Sequence, residues 1–160
     1  KIDLLFFLNT PFGWLVTLAC YYPFYIMLSL YLPMYTNDFA FFINESFTFL
    51  IWILLIPLHL FKLWCVLSLG FKCSNLTNRG IVVKGPYKWI RHPHYMVKLL
   101  IWWITFMPVI LTSHIYILGM LFWTIIYYLR AITEEEHLKN DNTYKDYIEK
   151  VNYRFIPKII

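Results

Sequence analysis

The eleven residues Gly85-Pro86-Tyr87-Lys88-Trp89-Ile90-Arg91-His92-Pro93-His94-Tyr95 gather two fixed cations, two imidazoles and three aromatic rings into one short stretch. Further along, Arg130-Ala131-Ile132-Thr133-Glu134-Glu135-Glu136 sets a guanidinium and three carboxylates at the end of a very apolar segment. Ionisable side chains beside segments of hydrocarbon length are costly to keep, so each cluster is a functional-site candidate. Arg130 and Glu134, four apart, share a helix face and can converge on one ligand. The plain alternative for that pair is a solvated ion pair worth a few tenths of a kcal/mol, in the less favourable order. Three successive acids where a helix leaves the bilayer repel one another and call for a cationic partner, which a cationic cofactor would supply. For the first cluster the plain alternative is an aromatic and basic belt at headgroup level. His92 and His94 are two apart with Pro93 between them and no further Cys or His nearby, so no metal site is expected.

The elements that must position these clusters are membrane helices. Of the 160 residues, 60% are apolar, 21% aromatic and only 14% charged, far from the composition of a soluble domain. Phe12 to Leu32 and Phe47 to Leu69 are each long enough to cross a hydrocarbon core of roughly 30 Å. Met96 to Leu111 and Ile115 to Leu129 read as a short helical hairpin, each apolar run giving only about 24 Å at about 1.5 Å per residue. The expected fold is all-α: a polytopic bundle of about four transmembrane helices with a short hairpin and a cytosolic carboxyl-terminal helical tail. Residues 1–160 form one membrane domain, with two generic helices over 1–69 and the loop, hairpin and tail over 70–160.

Lys72, Arg79, Lys84, Lys88, Arg91 and Lys98 fall between Gly70 and Lys98 with no acid among them, whereas Pro33 to Ser46 holds only Asp38 and Glu45. The positive-inside rule then puts both ionisable clusters on the cytosolic side, of a bacterial inner membrane or of the endoplasmic reticulum. The net charge of +5 is explained by anionic headgroups at about 1 kcal/mol per basic residue, and no nucleic-acid partner is expected. The three cysteines, Cys20, Cys65 and Cys73, suggest neither disulfide nor metal. The chain opens with Lys1 rather than Met and shows no cleavable signal, as a fragment would.

Along the chain, Pro23 is expected to kink the first helix, with Pro11 and Pro33 at its ends. Lys62 snorkels to the interface, with His59 three residues away on the same face. Pro93 falls in the first turn of the third crossing, where a proline loses no hydrogen bond. The fourth crossing continues to about Lys139. Asp141 and Asn142 break it before a short helix whose apolar face is Tyr144, Tyr147 and Val151, ended by Pro157.

Gly85-Pro-Tyr, Arg91-His-Pro-His-Tyr95, the hairpin, Arg130 followed by Thr133-Glu-Glu-Glu, Leu138, Tyr144, Tyr147, Val151 and Pro157 together resemble the isoprenylcysteine carboxyl methyltransferase family and its phospholipid methyltransferase relatives. The resemblance runs from about Asn78 to Pro157. It implies an enzyme that uses S-adenosylmethionine in a cytosol-facing pocket closed by loop and tail, with a lipid or lipid-attached acceptor entering from the bilayer. Carried over by motif, Tyr87 and the turn His92, Pro93, His94 and Tyr95 contact the cofactor. Arg79, Gly80, Ile81 and Val82 match a loop segment lining the same pocket. Glu134 engages the cofactor and Arg130 orients the substrate's acidic group. Two features depart from the pattern: Lys139 to Thr143 is short and lacks a Phe-Gly pair, and Lys98 with Trp102-Trp103 lies inside the third crossing.

The reading is thus an S-adenosylmethionine-dependent membrane methyltransferase of an uncharacterised branch. The rivals are an NADPH-dependent sterol-reductase-like enzyme, which shares an Arg-His-Pro-x-Tyr segment, and a non-catalytic lipid-binding scaffold. The acidic triplet after Arg130 favours the methyltransferase.

Overall fold

The structure, a computed structural model, describes residues 11–31, 41–42, 44–72, 80–139 and 141–157. Its helices are α1 (Pro11–Ala19), α2 (Phe24–Tyr31), α3 (Glu45–Leu69), α4 (Pro93–Thr112), α5 (Tyr116–Leu138) and α6 (Asn142–Lys150), with single 3₁₀ turns at Gly70–Lys72 and Gly85–Lys88. The architecture is an all-helical membrane bundle, with no strand among the described residues.

Among the described residues, three helices are long and apolar enough to cross a membrane: α3, α4 and α5. Asn44 starts α3 by accepting the Phe47 N–H at 3.1 Å, and Glu45 places a carboxylate at the positive end of the helix. Pro93 occupies the first turn of α4, as its sequence position demands. The hairpin helices outrun their apolar cores: α4 has 20 residues and α5 has 23, because each takes the ionisable cluster at one end into the helix. At about 1.5 Å per residue they reach roughly 30 Å and 34 Å, the flanking residues making up the length needed to cross.

The expected first crossing differs. Phe12 to Leu32 is not one kinked helix; the chain breaks after Ala19 and restarts at Phe24. Pro23 has no N–H to continue the ladder and its ring opposes the preceding turn, which interrupts the helix at this point. The residues of the break, Cys20 and Tyr21, are thereby turned into the bundle, as described below.

Within the bundle α5 is the most buried of the three long helices and α3 the least. A core of Tyr95, Phe106, Met120, Trp123, Tyr127 and Ala131 fills the space between α4 and α5, with Cys20, Tyr25 and Leu28 of the first crossing packed against it. The other side of α3 presents Phe49, Leu50, Ile53, Ile56, Leu60 and Leu67 outward, as a lipid-facing surface does.

The segment before α4 docks on the carboxyl-terminal end of α3. Trp64 meets Trp89 edge to face with ring centroids 5.7 Å apart, and Gly85 lies against Ser68 with φ +59°. A Cβ at Gly85 would fall 2.4 Å from Ser68 Oγ, in a backbone region that side chains avoid. Gly85→Ala should therefore destabilise the protein by about 1–3 kcal/mol. A thermal midpoint in detergent unchanged from the parent would show that the loop is not held as described.

Candidate functional site

Two helical stripes face each other across the α4–α5 hairpin. On α4, Tyr95, Lys98 and Trp102 follow one another at three- and four-residue steps; on α5, Trp123, Tyr127, Arg130 and Glu134 do the same. Running antiparallel, the stripes form three rungs. Tyr95 Oη donates to Glu134 Oε2 at 2.8 Å, Lys98 Nζ donates to the Tyr127 hydroxyl, and Trp102 meets Trp123 edge to face at 6.2 Å. The rungs thus grade from ionisable at the Tyr95–Glu134 end to aromatic at the Trp102–Trp123 end.

Above these rungs opens a cavity of about 240 Å³. It is lined by Tyr87, Arg91, His92, His94, Tyr95 and Lys98 from the loop and α4, by Tyr127, Arg130 and Glu134 from α5, by Leu69 at the end of α3, and by Cys20 and Tyr21 from the break in the first crossing. The Arg130 guanidinium lies between two rings, 5.2 Å from the centroid of Tyr21 and 5.5 Å from that of Tyr95, and donates to Tyr21 Oη at 3.3 Å. The two rings and the hydroxyl hold the buried guanidinium and limit where its donor fork points.

The three consecutive acids have three different surroundings. Glu134 faces the cavity, held by Tyr95. Glu136 is exposed beside Lys139 at 3.8 Å. Glu135 is buried and gathers three partners: Arg91 Nε at 3.1 Å, His92 Nε2 at 3.1 Å, and Arg154, whose Nε and Nη2 donate to its two oxygens at 3.0 and 2.7 Å. This bidentate pair with Arg154 ties the carboxyl-terminal segment to the end of α5. The same segment pairs with the loop through its backbone, Arg91 N–H donating to Tyr153 O and His92 N–H to Arg154 O, both at 2.9 Å.

Helix α6 completes the closure. Asp141 caps it, accepting the Thr143 N–H at 2.8 Å. Its apolar face, Tyr144, Tyr147 and Val151, is buried, with Ile81 packed on it. Tyr147 Oη donates to the Tyr87 carbonyl at 2.6 Å, so the tail is bonded directly to the loop that lines the cavity. The expected end of this helix at Pro157 is corrected: α6 stops at Lys150, because the following residues are taken up by the extended pairing with Arg91 and His92.

Burial pushes the phenols of Tyr144 and Tyr147 well above their ordinary value of 10.0, and the Glu135 carboxylate adds to the effect. A raised folded-state pKa means that the neutral phenols stabilise the fold. That contribution is complete below pH 10.0 and is lost as pH rises from there through the folded-state values. The tail should hence release at alkaline pH, seen as protease cleavage after Lys150 or Arg154 that begins above about pH 10. The Tyr144→Phe/Tyr147→Phe double variant should lose this dependence; cleavage with the same alkaline onset in that variant would contradict the assignment.

Of the residues singled out in the sequence, Tyr87, His92, His94, Tyr95, Arg130 and Glu134 line one cavity. Pro93 is fully buried at the start of α4, where it shapes the turn that carries its neighbours. Gly80, Ile81 and Val82 are not among the lining residues; Ile81 instead packs against α6. Arg79 lies outside the described residues. Sequence reasoning did not single out Cys20, Tyr21 and Tyr127 as lining residues, or Glu135 and Arg154 as the clamp. Pro23 and the stripe spacing on α5 were the available signals for the first three.

The chemistry of this donor set suits a zwitterionic, partly aromatic ligand carrying a cation. Glu134 offers a negative charge, the Tyr87 and Tyr95 rings offer π faces, and Arg130 offers a fork for a carboxylate. In a scan of known families, the model described as the Isoprenylcysteine carboxyl methyltransferase (ICMT) family matches residues 50–140, which span most of α3, the loop, α4 and α5. No curated protein matches the chain.

Proposed function

The chain belongs to the isoprenylcysteine carboxyl methyltransferase family, and on that footing we propose that it transfers a methyl group from S-adenosylmethionine to a carboxylate carried by a lipid. The observation that carries this reading is the convergence of Tyr87, His92, His94, Tyr95, Arg130 and Glu134 on one cavity at the end of a membrane hairpin. In the proposed arrangement Tyr87, the His92–Tyr95 turn and Glu134 hold the cofactor. Glu134 opposes its positive sulfur, with Tyr95 fixing the carboxylate by the 2.8 Å hydrogen bond. When bound, S-adenosylmethionine would supply a methyl on a cationic sulfur, transferred to a carboxylate oxygen with a neutral thioether as the leaving group and no proton moved.

A carboxylate is already ionised at neutral pH, so the protein's part is alignment and exclusion of water rather than base catalysis. Arg130, held between Tyr21 and Tyr95, orients the acceptor's acidic group. Glu135, Arg154 and α6 keep the loop and tail closed over the cavity. Were the acceptor an amine, His92 or His94 would be the base; His92 lies 3.1 Å from Glu135 and stacks on Tyr95, 5.4 Å between centroids, which fits a structural part in the closure, and leaves His94 on the cavity wall for that role. The basic loop supports an opening on the cytosolic side, with the acceptor approaching from the bilayer.

The experiment is methyl transfer from methyl-tritiated S-adenosylmethionine to S-farnesyl-thiopropionic acid in proteoliposomes. The expected product is an organic-soluble label that alkali releases as volatile methanol, the signature of a carboxyl methyl ester. Label stable to alkali would move the acceptor to nitrogen, and no transfer by a folded sample would sink the reading.

A further inference from the structure

We propose that Lys98 is a specificity-determining residue and that the acceptor is a lipid carrying two negative charges, the second of which Lys98 binds on the membrane side of the group held by Arg130. This rests on the methyltransferase reading above and narrows its substrate class.

Lys98 is the sixth residue of α4, roughly 8 Å inside a membrane-crossing helix at about 1.5 Å per residue. The default for such a lysine is to snorkel outward to the headgroups. Instead its ammonium is turned into the bundle. It donates to the Tyr127 hydroxyl and lies 4.8 Å from the Trp102 ring centroid and 4.6 Å from that of Tyr127. Among the described residues no carboxylate pairs with it. The rings and the hydroxyl offset part of the cost of desolvating the ammonium without neutralising its charge.

Lys98 and Arg130 line the same cavity. Tyr127, the hydrogen-bond partner of Lys98, is three residues before Arg130 on α5, a backbone rise of about 4.5 Å, so Lys98 is held beside the stretch of α5 that carries Arg130. The charges of the described lining residues lean positive. Arg91 and Arg154 share the one carboxylate of Glu135, and Lys98 has no carboxylate of its own among the described residues. A cofactor with a sulfonium, an ammonium and one carboxylate adds to that excess. A second negative charge on the acceptor offsets more of this positive excess in a low-dielectric setting than a single one does. Two anionic groups a few ångströms apart on one headgroup can then engage Lys98 and Arg130 together.

The test compares two lipid acids with the same tail and thioether: S-farnesyl-thiopropionic acid, with one carboxylate, and S-farnesyl-thiosuccinic acid, with two on adjacent carbons. Binding is read without cofactor, from the tryptophan fluorescence that Trp102 reports beside Lys98. Wild-type protein should bind the diacid more tightly by roughly thirtyfold or more, the scale of a desolvated charge pair. Lys98→Met should erase that preference while leaving monoacid binding within about threefold, and Lys98→Arg should restore it.

S-adenosylhomocysteine affinity, measured separately, should be the same in all three proteins. Its loss in Lys98→Met alone would assign Lys98 to the cofactor's carboxylate and overturn the proposal. Equal binding of the two acids by wild type, which needs no variant, overturns it as well. If S-adenosylhomocysteine fails to bind wild type while the diacid preference depends on Lys98, the methyltransferase reading fails and the dianion site stands.

Discussion

Glu135→Ala should release the carboxyl-terminal segment and destabilise the protein by about 3–5 kcal/mol, the cost of leaving buried cations without their counter-charge. Arg91 and His92 are almost fully buried around this carboxylate, and Arg154 bonds both of its oxygens. Removing it leaves a guanidinium with no anion at hand and cuts the side-chain tie between α5 and the tail. The backbone pairing of Arg91 and His92 with Tyr153 and Arg154 then stands alone. Thermal unfolding in detergent and tryptic cleavage after Lys150 and Arg154 measure the two consequences. Glu136→Ala, one residue on but exposed beside Lys139, should stay within about 0.5 kcal/mol of the parent. A Glu135→Ala protein with parental stability and a protected tail would falsify the clamp.

Arg130→Ala should lower kcat/KM for a lipid carboxylate by about 10²-fold or more, because the proposed catalysis consists largely of holding the acceptor in line. Arg130→Lys should recover little of it. A lysine reproduces the charge but neither the guanidinium's contacts with the Tyr21 and Tyr95 rings nor its planar donor fork. Affinity for S-adenosylhomocysteine should change by no more than about threefold in either variant, since the proposed cofactor contacts lie on Glu134 and the loop. A parental rate in Arg130→Lys would remove the orienting role. Equal losses of cofactor affinity and rate would place Arg130 on the cofactor instead.

The long elements were legible because their signals are local. Twenty or so apolar residues bounded by Asn44 and Gly70 make α3, Pro93 marks the start of α4, and Asp141 caps α6. The three-and-four spacing of Tyr144, Tyr147 and Val151 identified a face that is indeed buried. The first crossing was less legible. A proline inside an apolar run predicts a kink or a break equally well, and only packing against α5 selects the break that delivers Cys20 and Tyr21 to the cavity.

The acidic triplet shows the same limit at the site. Glu134, Glu135 and Glu136 are chemically identical, and the helix separates them by about 100° per residue. Which one meets the cavity, the clamp or solvent depends on Arg154, a residue of an aperiodic segment whose position no helical pattern foretells. Lys98 stood out in the sequence as a charge in the wrong place. Its inward direction came only with Tyr127 and Trp102 opposite it.

The most direct test of the proposed methyltransferase pocket is calorimetric titration of the detergent-solubilised protein with S-adenosylhomocysteine, run beside NADPH and repeated on Glu134→Ala. The account predicts saturable S-adenosylhomocysteine binding to the parent, loss of that binding in a folded Glu134→Ala variant, and no heat with NADPH. A folded parent that ignores S-adenosylhomocysteine, or that binds NADPH in its place, would contradict it.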